Sequence, residues 1–110
     1  MRRFCLMLDL RPDAALIEEY IAYHQAVWPE IQASIRDAGV LDMQIYNAGN
    51  RLFMIMDTAD DFTLQKKAAM DAANPKVLEW ETLMGRFQQV DVDANPTTRW
   101  IELTQIFQLT

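Results

Sequence analysis

His24 is the chain's one histidine, so any imidazole chemistry must run through it. Tyr20 precedes it by four positions, which puts phenol and imidazole on the same face of a helix. The neighbours at helical spacing make that face apolar, so both side chains should point inward. An imidazole held there has its pKa set by burial and by a phenol or carboxylate neighbour, as general acid–base catalysis requires. The same placement suits a core histidine bonded to a backbone carbonyl, and pattern alone leaves both open. Trp80-Glu81 is a second candidate pair. An indole face fits the apolar side of a sugar ring and a carboxylate fits its hydroxyls; a core Trp beside a solvated Glu would look alike. Met7, Met43, Met54 and Met56 could line a pocket, or serve as adaptable core filler. Trp28-Pro29-Glu30 is expected to shape a helix rather than touch a ligand.

Other chemistry finds no support. One His and one Cys, Cys5, leave no zinc set. Asp91, Asp93 and Asn95 lack the Gly and distal Glu of a calcium loop. There is no phosphate loop and no dinucleotide fingerprint.

The elements that must position these residues are legible in the periodicity. Residues 3–10 alternate, with Phe4, Leu6, Leu8 and Leu10 facing one way, as a strand with a buried face does. Asp13 is an N-cap for a helix over residues 14–38, whose stripe is Ile17, Tyr20, His24, Val27, Ile31 and Ile35. Pro29 should kink that helix near Gln25, and Gly39 should end it. Residues 40–46 and 51–57 form a hairpin around Asn47-Ala48-Gly49-Asn50. Residues 60–87 are helical in two pieces broken near Asn74-Pro75, with Val77, Trp80, Met84 and Phe87 buried. A loop containing Asp91, Asp93, Asn95 and Pro96 leads to a last strand over residues 99–108. The order is β-α-β-β-α-β, an α+β, ferredoxin-like arrangement.

At 110 residues the chain fits a single domain, 1–110. A net charge of −6 with scattered basic residues argues against nucleic acid and favours a small neutral ligand. A lone cysteine forbids an internal disulfide and suits the cytoplasm. No apolar run approaches the ~20 residues that span a bilayer. The hydrophobic fraction of 51% includes seven Met and three Trp. The second hairpin arm is apolar on both faces, and the helices can cover only one. A homodimer should cover the other.

The segment Glu19-Tyr20-Ile21-Ala22-Tyr23-His24-Gln25-Ala26-Val27-Trp28-Pro29-Glu30 resembles the signature of the L-rhamnose mutarotase family: a Tyr, a His four later, then Trp-Pro-Glu. Gly39, Ile45-Tyr46, Arg51-Leu52-Phe53, Trp80, Met84 and Ile106-Phe107 extend the resemblance over nearly the whole chain. It implies a dimeric α/β barrel in which a His, here His24, is the proton donor and Tyr20 binds substrate. The family's second substrate-binding Tyr is Met43 here, and its paired tryptophans are Trp80-Glu81. The implied reaction is interconversion of the α and β pyranose anomers of a 6-deoxy-L-hexose, L-rhamnose or L-fucose. The second proton carrier is left open between Tyr20, Glu81 and water. Rival readings on the same fold are a dimeric-barrel monooxygenase and a non-catalytic small-ligand binding module.

Overall fold

Alternating apolar residues build the sheet. In the computed structural model, which describes residues 1–89 and 99–110, β1 (Arg2–Asp9) buries Phe4, Leu6 and Leu8. It pairs antiparallel with β3 (Arg51–Thr58) in the register Phe4↔Met56, Leu6↔Met54, Leu8↔Leu52, so both strands present one apolar face. β2 (Val40–Ala48) adds Met43↔Met56 and Ile45↔Met54 to that face after a bulge between Val40 and Asp42. The β2–β3 turn rests on Gly49, at φ +59°, where a side chain would be strained.

Two helical crossovers cover this face, and each is broken by a proline. Asp13 caps α1 (Ala14–His24) by accepting from the backbone N–H groups of Ala15 and Leu16 at 3.0 and 3.1 Å. A single kinked helix over residues 14–38 does not form. α1 stops at His24, and α2 (Pro29–Asp37) starts afresh at Pro29. Proline costs a hydrogen bond inside a helix but none in the first turn, so a restart is cheaper than a kink. Trp28, at φ −55° and ψ 137°, has the extended backbone that a following proline imposes. Gly39, at φ +96°, ends α2. The second crossover consists of α3 (Leu64–Ala72), capped by Thr63, and α4 (Pro75–Gly85), capped by Asn74.

β4 is a correction to the sequence reading. Of the strand expected over residues 99–108, only Ile101–Glu102 pairs with β1, as Leu6↔Glu102 and Met7↔Ile101. Beyond one more bond, from Leu103 N–H to the Cys5 carbonyl, Ile106, Phe107 and Leu109 are exposed. Alternation announces a strand, but a strand also needs a ladder partner, and β4 lies at the sheet's edge. The expected loop with Asp91, Asp93, Asn95 and Pro96 lies outside the described residues.

The sheet order is β2-β3-β1-β4, antiparallel throughout. With the two crossovers this is the ferredoxin-like α+β fold. One core cluster joins Leu8, Leu10, Tyr20, Ile31, Leu52, Trp80, Met84 and Phe87. A second joins Phe4, Leu6, Val40, Met54, Met56 and Phe62. Among the described residues no helix lies over the opposite sheet face. Cys5, Met7, Phe53 and Ile55 are half-buried there, and Tyr46 and Ile101 are 56% and 59% exposed. Ion pairs from Arg3 to Asp57 and from Arg51 to Asp9 bracket that face at its two ends.

Candidate active site

Between the two core clusters lies a cavity of about 330 Å³. That is near the lower end of the ~300–1,000 Å³ typical of small-molecule pockets. The sheet supplies Leu6, Met43, Ile45, Met54 and Met56 to its walls. α1 supplies Tyr20 and His24, and α4 supplies Val77, Trp80, Glu81 and Met84. Tyr20, His24, Met43, Trp80 and Glu81, far apart in sequence, are thus gathered around one space. Met54 and Met56 are there too. Met7 is not: it points to the bare sheet face, because it alternates with Leu6 and Leu8.

His24 occupies the last turn of α1, just before the chain breaks toward Pro29. Its Nδ1 lies 2.9 Å from the Tyr20 carbonyl oxygen. A carbonyl only accepts, so Nδ1 carries a proton and donates it there. In the neutral ring Nε2 is then left with its lone pair. The imidazole is stacked on the Tyr20 ring at 4.3 Å between centroids and 28° between planes. The Trp80 indole meets it edge-on at 5.6 Å. Burial pushes the His24 pKa down, against the opposing pull of the Tyr20 carbonyl bond. The imidazole is therefore neutral over more of the pH range than a free one.

Trp80 is buried and is wedged among Tyr23, His24 and Trp28, with ring centroids at 6.4, 5.6 and 5.0 Å. Trp28 is not among the residues that line the cavity and meets the site through this contact. Glu81 is half-buried, and burial pushes its carboxyl up to about 7 although Lys67 and Arg99 draw it down. Burial also raises the Tyr20 phenol well above its ordinary value, against a hydrogen bond from Gln88. The phenol is consequently no proton donor to water near neutrality.

The polar part of the wall holds residues that the sequence reading missed. Lys67 and Asp71, one turn apart on α3, face the cavity and are joined at 2.6 Å. Asp71 is buried. At this spacing opposite charges on an exposed helix face look the same in sequence, so no local signal marked them. Gln88 is buried beside Leu10, where Arg99 donates to its Oε1 at 3.1 Å and to the Glu81 main-chain carbonyl at 2.7 Å. The signal for Gln88 was available: a glutamine directly after the buried Phe87, in a segment that must close on the sheet. Among the described residues no group of three or more His, Cys, Asp or Glu is placed to hold a metal. No helix among them is long and apolar enough to cross a membrane.

The arrangement can accept a proton at Nε2, donate or accept one at the Glu81 carboxyl, and seat a small amphipathic ring between indole, methionines and polar wall. The chain is similar to known sugar mutarotases. An L-fucose mutarotase of Xanthomonas campestris is 42% identical, with 99% of this chain and 89% of that protein covered. An L-rhamnose mutarotase of Phocaeicola vulgatus is 32% identical over 99% of each chain. The crystal structure of an L-rhamnose mutarotase from Formosa agariphila superposes over the full length of both chains with a TM-score of 0.75. At 22% identity that structural match speaks for the fold. The family model of L-rhamnose mutarotases matches residues 3–109, and the chain belongs to that family.

Proposed function

We propose that this protein is a mutarotase of 6-deoxy-L-hexoses, with L-fucose preferred over L-rhamnose and His24 as its central proton-transfer group. The observation that carries the reading is the Nε2 of His24, which has no hydrogen-bond partner among the described residues. Its other nitrogen is pinned by Tyr20, and it stands in a largely apolar cavity beside Trp80. Mutarotation asks for little else. One group removes the anomeric hydroxyl proton while another protonates the ring oxygen, the C1–O5 bond opens, C1 turns about the C1–C2 bond, and the ring recloses. Tyr20, Met43, Trp80 and Glu81 are the substrate contacts in this reading. Nothing in the cavity or among the relatives favours a monooxygenase.

The preference for L-fucose rests on two points. The relative named for it shares more residues with this chain than the one named for L-rhamnose. Met43, opposite Met56 on the cavity floor, also offers no hydrogen bond where the family has a tyrosine. A site that loses a hydrogen bond to one hydroxyl discriminates more strongly than one that changes apolar shape. Magnetisation exchange between anomers, measured by NMR with each sugar, tests both statements. The wild type should accelerate exchange of L-fucose more than of L-rhamnose, and Met43→Tyr should shift the ratio toward L-rhamnose. No acceleration of either sugar would end the mutarotase reading, and an unmoved ratio in a folded variant would remove Met43 from specificity.

The protein acts in this reading as a cytoplasmic homodimer. The uncovered sheet face, with Met7, Tyr46, Phe53, Ile55 and Ile101, is the surface a second copy would bury, and a lone cysteine suits a reducing compartment. Light scattering should give twice the 12.8 kDa chain mass at micromolar concentration. Tyr46→Lys with Ile55→Lys, on that face and away from the cavity, should give one chain mass.

A further inference from the structure

Opening a pyranose requires two proton transfers, and His24 accounts for one. We infer that the Glu81 carboxyl is the second: it gives the ring oxygen a proton while His24 Nε2 takes one from the anomeric hydroxyl. This deepens the mutarotase reading and rests on it.

The geometry narrows the choice of partner. With Nδ1–H committed to the Tyr20 carbonyl, a neutral His24 can only accept at Nε2, so a separate donor must serve the ring oxygen. Of the groups lining the cavity, Asp71 and Lys67 are tied to each other at 2.6 Å. Glu102 is exposed on the edge strand β4. Arg99 spends its Nη1 on the Glu81 main chain and on Gln88, and a guanidinium does not release its proton. The Tyr20 phenol holds its proton too tightly to cycle. Glu81 is left. It directly follows Trp80, whose indole touches His24, and its charge is felt at Tyr20, the ring on which His24 is stacked. Burial keeps a substantial fraction of this carboxyl protonated at neutral pH, while burial keeps His24 unprotonated. Environments that push an acid up and a base down give each the protonation state it needs.

The step balances. The anomeric O–H proton passes to His24 Nε2, the electron pair of that bond forms the C1=O1 carbonyl, the C1–O5 bond breaks, and O5 takes the Glu81 proton. After rotation about C1–C2, the O5 hydroxyl attacks the other face of C1 and returns its proton to the Glu81 carboxylate. O1 recovers a proton from the His24 imidazolium. Donor and acceptor exchange roles between opening and closing, and both end as they began.

Two measurements test it. The first is the pH profile of kcat/KM for anomer exchange by the wild type. Opening requires His24 neutral and Glu81 protonated. Activity should therefore fall on the acid side below the lowered His24 pKa, and on the alkaline side as pH rises through about 7. The charged and titratable groups facing Glu81 are Tyr20 from α1, Lys67 and Asp71 from α3, and Arg99; Glu102 and His24 share the cavity. The second is Glu81→Gln, which preserves size and hydrogen bonding but carries no exchangeable acid proton. It should lower kcat by ~10²-fold or more and leave KM within roughly threefold, with the alkaline limb gone. Glu81→Asp should regain part of the rate and the limb. A folded Glu81→Gln protein with kcat within a few-fold of wild type, or one changed only in KM, overturns the inference, as does a wild type with no alkaline limb. The last result decides the matter even if the variant does not fold. Wild-type exchange that is lost in His24→Asn but kept in Glu81→Gln overturns Glu81 alone. A wild type inert on both sugars overturns the mutarotase reading with it.

Discussion

Replacing His24 by asparagine should leave a folded protein whose catalysed anomer exchange is down by ~10²-fold or more. The expectation follows from what each ring nitrogen does. Nδ1–H bonds the Tyr20 carbonyl at 2.9 Å, and the asparagine amide can donate there in its place. Nothing in asparagine can replace Nε2, because a carboxamide exchanges no proton with a sugar hydroxyl near neutrality. The structural loss is then one modest hydrogen bond and part of a ring stack, ~1 kcal/mol or so. The chemical loss is the whole of one transfer. Exchange measured on the same preparation as circular dichroism and a melting curve separates the two. A folded variant with near wild-type exchange would mean that the imidazole is only a strut between α1 and Trp80.

Trp80→Ala should have the largest effect on stability, ~3–5 kcal/mol. Trp80 is 5% exposed and is the common neighbour of Tyr23, His24 and Trp28, so its removal leaves a hole where α1, α4 and the start of α2 meet. The void would open into the existing cavity, which water can enter, so the surrounding helices have little reason to collapse onto it. For a domain of this size each kcal/mol is worth roughly 4–8 °C, so the melting temperature should drop by more than ~10 °C. Trp80→Phe should keep most of the stability while weakening sugar binding, because a smaller ring offers less face to the pyranose. A thermal scan of both variants, with KM for exchange, checks the pair. An alanine variant melting within a few degrees of wild type would show that Trp80 is not the keystone of this corner.

How far the sequence could be read depended on whether the deciding interaction was local. Strand β1, the β2–β3 hairpin, the Asp13 cap and the Gly39 stop are written in residues a few positions apart, and all are found. The stripe from Ile17 to Ile35 points inward although the helix carrying it is broken. The break itself misled because proline rules differ between a helix interior and a first turn, and sequence does not say which of the two Pro29 occupies. β4 was overextended because strand length depends on a partner. Around the cavity, His24 was visible as the one histidine with Tyr20 a turn before it, and Trp80-Glu81 as an indole beside a carboxylate. Lys67 and Asp71 were not, since a charged pair one turn apart is ordinary on any solvated helix. Only the packing of α3 against α4 turns that pair toward the cavity.

The prolines at the heads of α2 and α4 have a consequence for how this fold can change over evolutionary time. They cut each crossover into two short rods, so the lid over the sheet is an articulated set of four pieces. His24 belongs to one rod, α1, while Lys67 and Asp71 belong to another, α3. Substitutions that tilt or recharge α3 reshape the polar rim of the cavity and leave the seat of His24 on Tyr20 undisturbed. Selection can therefore fit the lid to a differently configured sugar without rebuilding the reaction underneath it.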